Sequence, residues 1–196
     1  MTCDASVGPR PFGCTGEAGV RSDSTTPWVR TGRLWLRPCE PRDLDRVHEL
    51  WTSPEILEFL FDGRRIFREE AQSIIDRSDR CFTERGYGIW LFFAAEEQEQ
   101  PQLLAGFVGL LNDSPESPRL VFGTRPALRG RGYAVEASLE VLRHAFGVLG
   151  LPRVFADVDE PNQASISVLR KIGMKPTGRA IVAGRPLLYY EIACAL

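Results

Sequence analysis

Residues 119 to 158 read as strand, arginine-glycine turn, long amphipathic helix and strand, and no other stretch restricts the fold as much. Arg119 to Thr124 has the character of a short strand. Past the turn Arg125-Pro126-Ala127-Leu128-Arg129-Gly130-Arg131-Gly132, apolar residues recur at Val135, Leu139, Leu142, Phe146 and Leu149, which predicts a helix to about Leu149 with that stripe inward. Gly150 and Pro152 end it, and Val154 to Val158 forms the next strand. The glycines let the turn's backbone approach a ligand closely, and the first N–H groups of the helix have no partner of their own. With the helix dipole behind them they invite an anion. Arg125, Arg129 and Arg131 add local positive charge to a chain of net charge −2, which favours a polyphosphate over a carboxylate.

The remaining segments fill in a mixed sheet. Arg33 to Pro38 predicts a first strand, followed by a helix capped by Asp43 that carries Leu44, Val47, His48 and Trp51 on one side. Pro54 breaks it before a short helical turn through Ile56, Leu57 and Phe59, and Arg68 to Arg85 is a third helix stopped by Gly86. Tyr87 to Ala95 and Leu103 to Leu111 form a hairpin joined by the polar stretch 96–100. After Val158, Asn162 caps a helix to Ile172 with Gly173 as its C-cap, and strands from Arg179 to Ala183 and Leu187 to Cys194 turn at Gly184-Arg185-Pro186. Strands first in a meander and then alternating with helices predict an α/β (α+β) domain over 28–196, with about six to seven strands and helices on both faces. Residues 1–27 lack an apolar period and read as a disordered leader.

Composition narrows the functions. Lys+Arg total 24 against Asp+Glu 26, which offers no broad basic field for nucleic acid or an anionic membrane. The run from Ile89 to Ala95 is far shorter than the ~20 residues of a membrane-spanning helix. Five scattered cysteines without C-x-x-C spacing disfavour a disulfide framework or zinc site and suit the reducing cytoplasm. No metal is expected, and the chain is expected to act as a monomer or homodimer.

Arg129-Gly130-Arg131-Gly132-Tyr133-Ala134, followed downstream by Asn162-Gln163-Ala164-Ser165 and Gly173-Met174, resembles the GCN5-related N-acetyltransferase (GNAT) family, in a branch similar to the ribosomal-protein alanine N-acetyltransferases. Met174 stands where that branch has an aromatic residue. Thr31 to Pro38 and Gly86 to Trp90 also look like the branch. The resemblance implies an enzyme that moves the acetyl group of acetyl-CoA to a primary amine, a protein N-terminus or a small molecule, by direct attack. It implies a splayed central strand pair in which the backbone of Val121, Phe122 and Thr124 binds the pantetheine arm. Arg129, Gly130, Arg131, Gly132, Tyr133 and Ala134 would hold the pyrophosphate, Asn162 and Ser165 would lie along the pantetheine and thioester, and Lys171 would approach the 3'-phosphate.

Catalytic groups are harder to assign. The position of a family tyrosine is Leu169, so Ser165 is the expected proton donor to the leaving thiolate. The position of a family glutamate is Val121, so the base is sought at Glu191, or at a water on Tyr189 or Tyr190. His144 reads as a packed helix residue, while His48 and Glu58 remain open. Trp51, Phe59, Phe61, Tyr87 and Trp90 are either a pocket wall or core. Two alternatives stand beside the enzyme: a non-catalytic acyl-CoA-binding module, and a dinucleotide-binding domain suggested by Gly130-x-Gly132 and Asp157. Val135 and the arginines fit the second poorly.

Overall fold

Eight strands hydrogen-bond into one open, mixed sheet in the computed structural model of this chain, which describes residues 28–95, 103–111 and 117–194. They are β1 (Val29–Arg30), β2 (Leu34–Pro38), β3 (Ile89–Ala94), β4 (Leu104–Leu111), β5 (Arg119–Thr124), β6 (Arg153–Asp159), β7 (Lys175–Val182) and β8 (Arg185–Ala193). Their order is β1-β2-β3-β4-β5-β6-β8-β7, with every pair antiparallel except the parallel β5 and β6. The helices are α1 (Leu44–Trp51), α2 (Pro54–Leu60), α3 (Arg68–Arg85), α4 (Tyr133–Gly147) and α5 (Gln163–Lys171). The leader read over 1–27 and the connection 96–100 lie outside the described residues.

Each face of the sheet is covered by its own helices. Val47, Trp51, Ile56 and Ile75 of α1 to α3 pack on Leu91, Phe93 and Phe107. Val141, Leu142, Ile166 and Leu169 of α4 and α5 pack on Phe92, Val108, Leu120 and Val154 on the other side. This is the expected fold class, with α4 turned differently. Its buried stripe is Ala134, Ala137, Ser138, Val141, Leu142 and Ala145, while Leu139 is 48 % exposed. Small side chains seat the helix axis close to the sheet, a preference that apolar periodicity alone misses.

Three other local differences have physical causes. Asp43 does not cap α1 with its side chain: it accepts from the Glu40 N–H at 2.9 Å and from Arg37 Nη1 and Nη2 at 2.6 Å each, at 1 % exposure. β1 is only two residues long and exists through its pairing with β2. β7 begins at Lys175 despite Pro176, which an edge strand accepts, and the register slips between Pro176 and Gly178.

Two irregularities open the middle of the sheet. Phe92 stands opposite Gly106 but Phe93 opposite Leu104, so Ala105 is an extra residue in β4. A bulge bends its strand, and β5, paired along β4, follows the bend. β5 and β6 register only where Arg119 faces Phe155, with the Phe155 N–H donating to the Pro118 carbonyl at 2.9 Å. Beyond that pair the two strands part, as the splayed pair required.

Candidate active site

The arginine-glycine turn lies over this opening. Gly130 and Gly132 have φ of +77° and +79°, the left-handed region that glycine enters without strain. Around Gly130 an added Cβ would meet no protein atom within 4 Å, so its surroundings are clear for a ligand. α4 starts at Tyr133 directly after Gly132, and its first-turn N–H groups point out of the helix end. The turn is anchored from below. Glu136 accepts from Thr31 Oγ1 at 2.5 Å, from the Arg33 N–H at 2.7 Å and from Arg33 Nε at 2.8 Å. Burial acts to raise the Glu136 pKa, but these hydrogen bonds and the Arg33 charge outweigh it and hold the carboxyl below its ordinary value.

The three arginines of the turn divide. Arg129 lines the groove and donates to the Glu55 carbonyl at 3.1 Å. Arg131 is exposed and outside the groove lining, and its carbonyl accepts from Arg33 Nη1 at 2.8 Å. Arg125 turns away, donating to Glu49 at 3.1 Å and to the Leu104 carbonyl at 3.2 Å. The cation cluster read from the sequence is therefore dispersed, and what the turn offers to an anion is its backbone and the helix end.

A groove of about 1600 Å3 runs through the gap. Its walls include Phe122, Tyr133, Ala134, Ser165 and Val168 on the side of α4 and α5, and Ile56, Phe59, Phe61, Ile74 and Phe107 on the side of α2 and α3. The Arg125 N–H donates to Ala105 at 2.8 Å, and backbone groups alternate along an antiparallel ladder. Gly123 and Val121 therefore direct their backbones to β4, while Leu120, Phe122 and Thr124 direct theirs into the gap. Phe122 and Thr124 thus turn their backbone groups away from β4. Val121 also lines the groove, with its backbone directed to β4.

At the carboxyl end of β6, Asn162 Oδ1 accepts the Ser165 N–H at 3.1 Å and starts α5, so its capping role is real. Asn162, Ser165 and Lys171 all line the groove. Tyr190 does not: it is 2 % exposed and packs in the core under α4 and α5. Glu191 is also outside the lining and lies 3.6 Å from Arg153. Strand parity explains Tyr190, because 188, 190 and 192 face the core while Arg185, Leu187 and Tyr189 face the groove; Glu191 shares the face of Tyr189 but lies farther along β8, beside Arg153 and past the groove lining. His144 Nε2 lies 2.8 Å from the Gly86 carbonyl and His48 Nε2 3.1 Å from that of Ile66, so both tie elements together. Of the five aromatics, Phe59 and Phe61 wall the groove, whereas Trp51, Tyr87 and Trp90 are core.

One group of charges escaped the sequence reading. Asp159, at the end of β6, accepts from Arg185 at 3.1 Å, and Arg185 also donates to Asp62 at 2.9 Å. Burial raises the Asp159 pKa, Asp62 and Asp157 add to the rise, and Arg185 opposes it. The sequence reading ended this strand at Val158, one residue short of Asp159, and so did not set Asp159 beside Asp157 on one face. That Arg185 meets Asp159 follows from the pairing of β6 with β8.

A sheet parted at the parallel pair β5 and β6, with a helix-end turn on one side of the gap and an apolar pocket on the other, has the arrangement of an acyltransferase with room for a donor and an acceptor. The chain belongs to the GNAT acetyltransferase family, whose domain model, acetyltransferase (GNAT) domain, matches residues 33–175; it is an enzyme of the N-acetyltransferase class. It is 31% identical over 152 residues to the FsC-acetyl coenzyme A-N(2)-transacetylase of Aspergillus fumigatus, spanning 76% of this chain and 65% of that protein. Among solved structures, spermidine N-acetyltransferase from Vibrio cholerae in complex with CoA and spermine superposes with a TM-score of 0.68 at 19% identity, covering 83% of this chain and 96% of that one. The Salmonella typhimurium acetyl transferase that modifies the N-terminal serine of ribosomal protein L7/L12 gives 0.70 at 16% identity, covering 84% and 97%. These two share its fold.

Proposed function

We propose that this chain transfers the acetyl group of acetyl-CoA to a primary amine, a small-molecule amine or a protein N-terminus, by direct attack within a ternary complex. One observation carries the reading: the groove passes through the sheet at the splay, so donor and acceptor enter from opposite faces and meet between β5 and β6. The pyrophosphate rests on the Gly130–Ala134 turn and the α4 terminus, with Arg129 beside it and Lys171 toward the 3'-phosphate. The pantetheine amides pair with the backbone of Phe122 and Thr124, replacing the missing ladder between β5 and β6. Asn162 faces the same arm.

The chemistry needs a neutral amine, a donor for the tetrahedral oxyanion and a proton for the thiolate. The Phe122 N–H, directed into the gap, supports the oxyanion. The Ser165 hydroxyl, on the donor side of the groove, protonates the thiolate. The cysteine pattern fits a cytoplasmic enzyme, where acetyl-CoA is at hand.

Thermal shift and thiol release test the assignment together. Acetyl-CoA at about 100 times its Kd stabilises the fold by about 2.7 kcal/mol, NAD does not, and free CoA appears only when an amine is added. A rise in Tm with NAD alone establishes the dinucleotide reading instead. Binding of acetyl-CoA with no thiol from polyamines, amino sugars or N-terminal peptides establishes a non-catalytic acyl-CoA module.

A further inference from the structure

The acceptor end of the groove holds a charged cluster in which one cation lies between carboxylates from opposite walls. Arg185 at the start of β8 donates through Nη1 to Asp62 Oδ1 at 2.9 Å, and through Nη2 to Asp159 Oδ2 at 3.1 Å and the Glu58 carbonyl at 3.2 Å. Asp62 follows α2, and Asp159 closes β6, so the guanidinium joins the two sides of the acceptor pocket. The Asp159 side chain is 7 % exposed and still lines the groove.

Strand parity puts Asp159 on the acceptor side. Val154, Ala156 and Val158 pack toward α4 and α5, which turns Phe155, Asp157 and Asp159 toward the face of α1 to α3. Three residues later Asn162 serves the donor side, so one short segment serves both substrates. Its neighbour Asp157 is already held by Arg119 at 2.7 Å, and its side chain is 39 % exposed. Glu191, next but one beyond Tyr189 on β8, sits by Arg153.

The geometry points to Asp159 as the catalytic residue that receives the acceptor's ammonium group and takes its proton, with Arg185 as the positioning residue that holds the carboxylate in the groove. This rests on the transferase reading above. The groups facing Asp159 are Arg185 from β8, Asp62 from the turn after α2 and Asp157 on its own strand, and together with burial they leave its pKa raised, closer to the range in which a carboxylate acts as a base. The ammonium gives one proton to Asp159. The nitrogen lone pair then forms the C–N bond to the thioester carbonyl, and collapse of the tetrahedral intermediate breaks C–S, with the electron pair leaving on sulfur. The second nitrogen proton refills the Ser165 hydroxyl as that hydroxyl gives its own to the thiolate, and Asp159 returns its proton to water. An ammonium and acetyl-CoA thus become an N-acetyl amine, CoA thiol and one proton.

The test uses the full chain with an amine that the wild type acetylates. Asp159→Asn is expected to keep its Tm and its acetyl-CoA Kd within about twofold, while kcat/KM at pH 7 falls about 100-fold, the lower end of the range for a lost general base. The deficit should narrow as pH approaches the amine's own pKa, and Asp159→Glu should recover part of the rate. Arg185→Gln removes the charge that lowers the Asp159 pKa, so the acid limb of its kcat/KM profile moves to higher pH; this readout holds even where Asp159→Asn fails to fold. An Asp159→Asn enzyme keeping more than a third of wild-type kcat/KM, or an Arg185→Gln profile with an unmoved acid limb, overturns the assignment and leaves the transferase reading standing. A wild type that binds acetyl-CoA but releases no thiol with any amine overturns both.

Discussion

Gly132 shows how a single residue links fold to ligand. Its left-handed φ lets the chain turn straight into α4, and an added Cβ would stand 3.3 Å from the Arg33 guanidinium. Gly132→Ala is expected to cost about 1–2 kcal/mol for the backbone conformation and to weaken acetyl-CoA binding; denaturant melts and isothermal titration check it, and an unchanged Kd contradicts the role given to the turn. Asp43 acts on stability alone. Burial works to raise its pKa, but hydrogen bonds from Arg37 and the Glu40 N–H, with the Arg37 and Arg46 charges, hold it below the ordinary carboxylate value. A carboxyl depressed on folding stabilises the protein above its unfolded pKa of about 3.9 and loses that contribution as pH falls through the lower folded value. Asp43→Asn leaves the buried Arg37 charge uncompensated and should cost about 3–5 kcal/mol at neutral pH. The gap in urea midpoint between variant and wild type should close below about pH 4, and a gap independent of pH would contradict this origin.

Among the elements, α4 carries the most consequence because its packing sets the height of the anion turn over the gap. Ala137, fully buried against the sheet, belongs to the small-residue stripe that permits close seating. Ala137→Leu is expected to cost about 1–3 kcal/mol through overpacking and to loosen acetyl-CoA binding, since the helix end moves with the axis. Equal losses from Leu139→Ala, on the exposed side, would contradict this picture. The existence of every helix and of seven strands was legible from periodicity, caps and turn glycines. Which stripe of α4 faces inward was not, because alanines and a serine carry little hydrophobic signal yet suit a close helix-sheet contact. β1 and the early start of β7 were also hidden, since both depend on a neighbouring strand for their hydrogen bonds.

For the molecule as a whole, a groove entered from both faces predicts kinetics without a covalent intermediate. Initial-rate plots varying acetyl-CoA at several amine concentrations should intersect, and parallel lines would point to an acetylated enzyme and sink the ternary complex. The local geometry of the proposed donor half was readable in advance because it is built from consecutive residues: Arg129 to Ala134 form a glycine turn into a helix end, and Asn162 caps the helix that carries Ser165. The acceptor half joins α2, β6 and β8, whose side chains meet only through strand order and parity. Thus Tyr190 lies in the core and Asp159 in the groove, although chain position alone recommended the tyrosine. Sequence by itself determined the elements, the arginine-glycine turn at the start of α4 and the family, since each rests on residues close together in the chain. Only the tertiary structure decided the splay of β5 from β6, the dispersal of the arginines and the placing of Asp159 in the groove, because these follow from long-range pairing and from which face of each strand is buried.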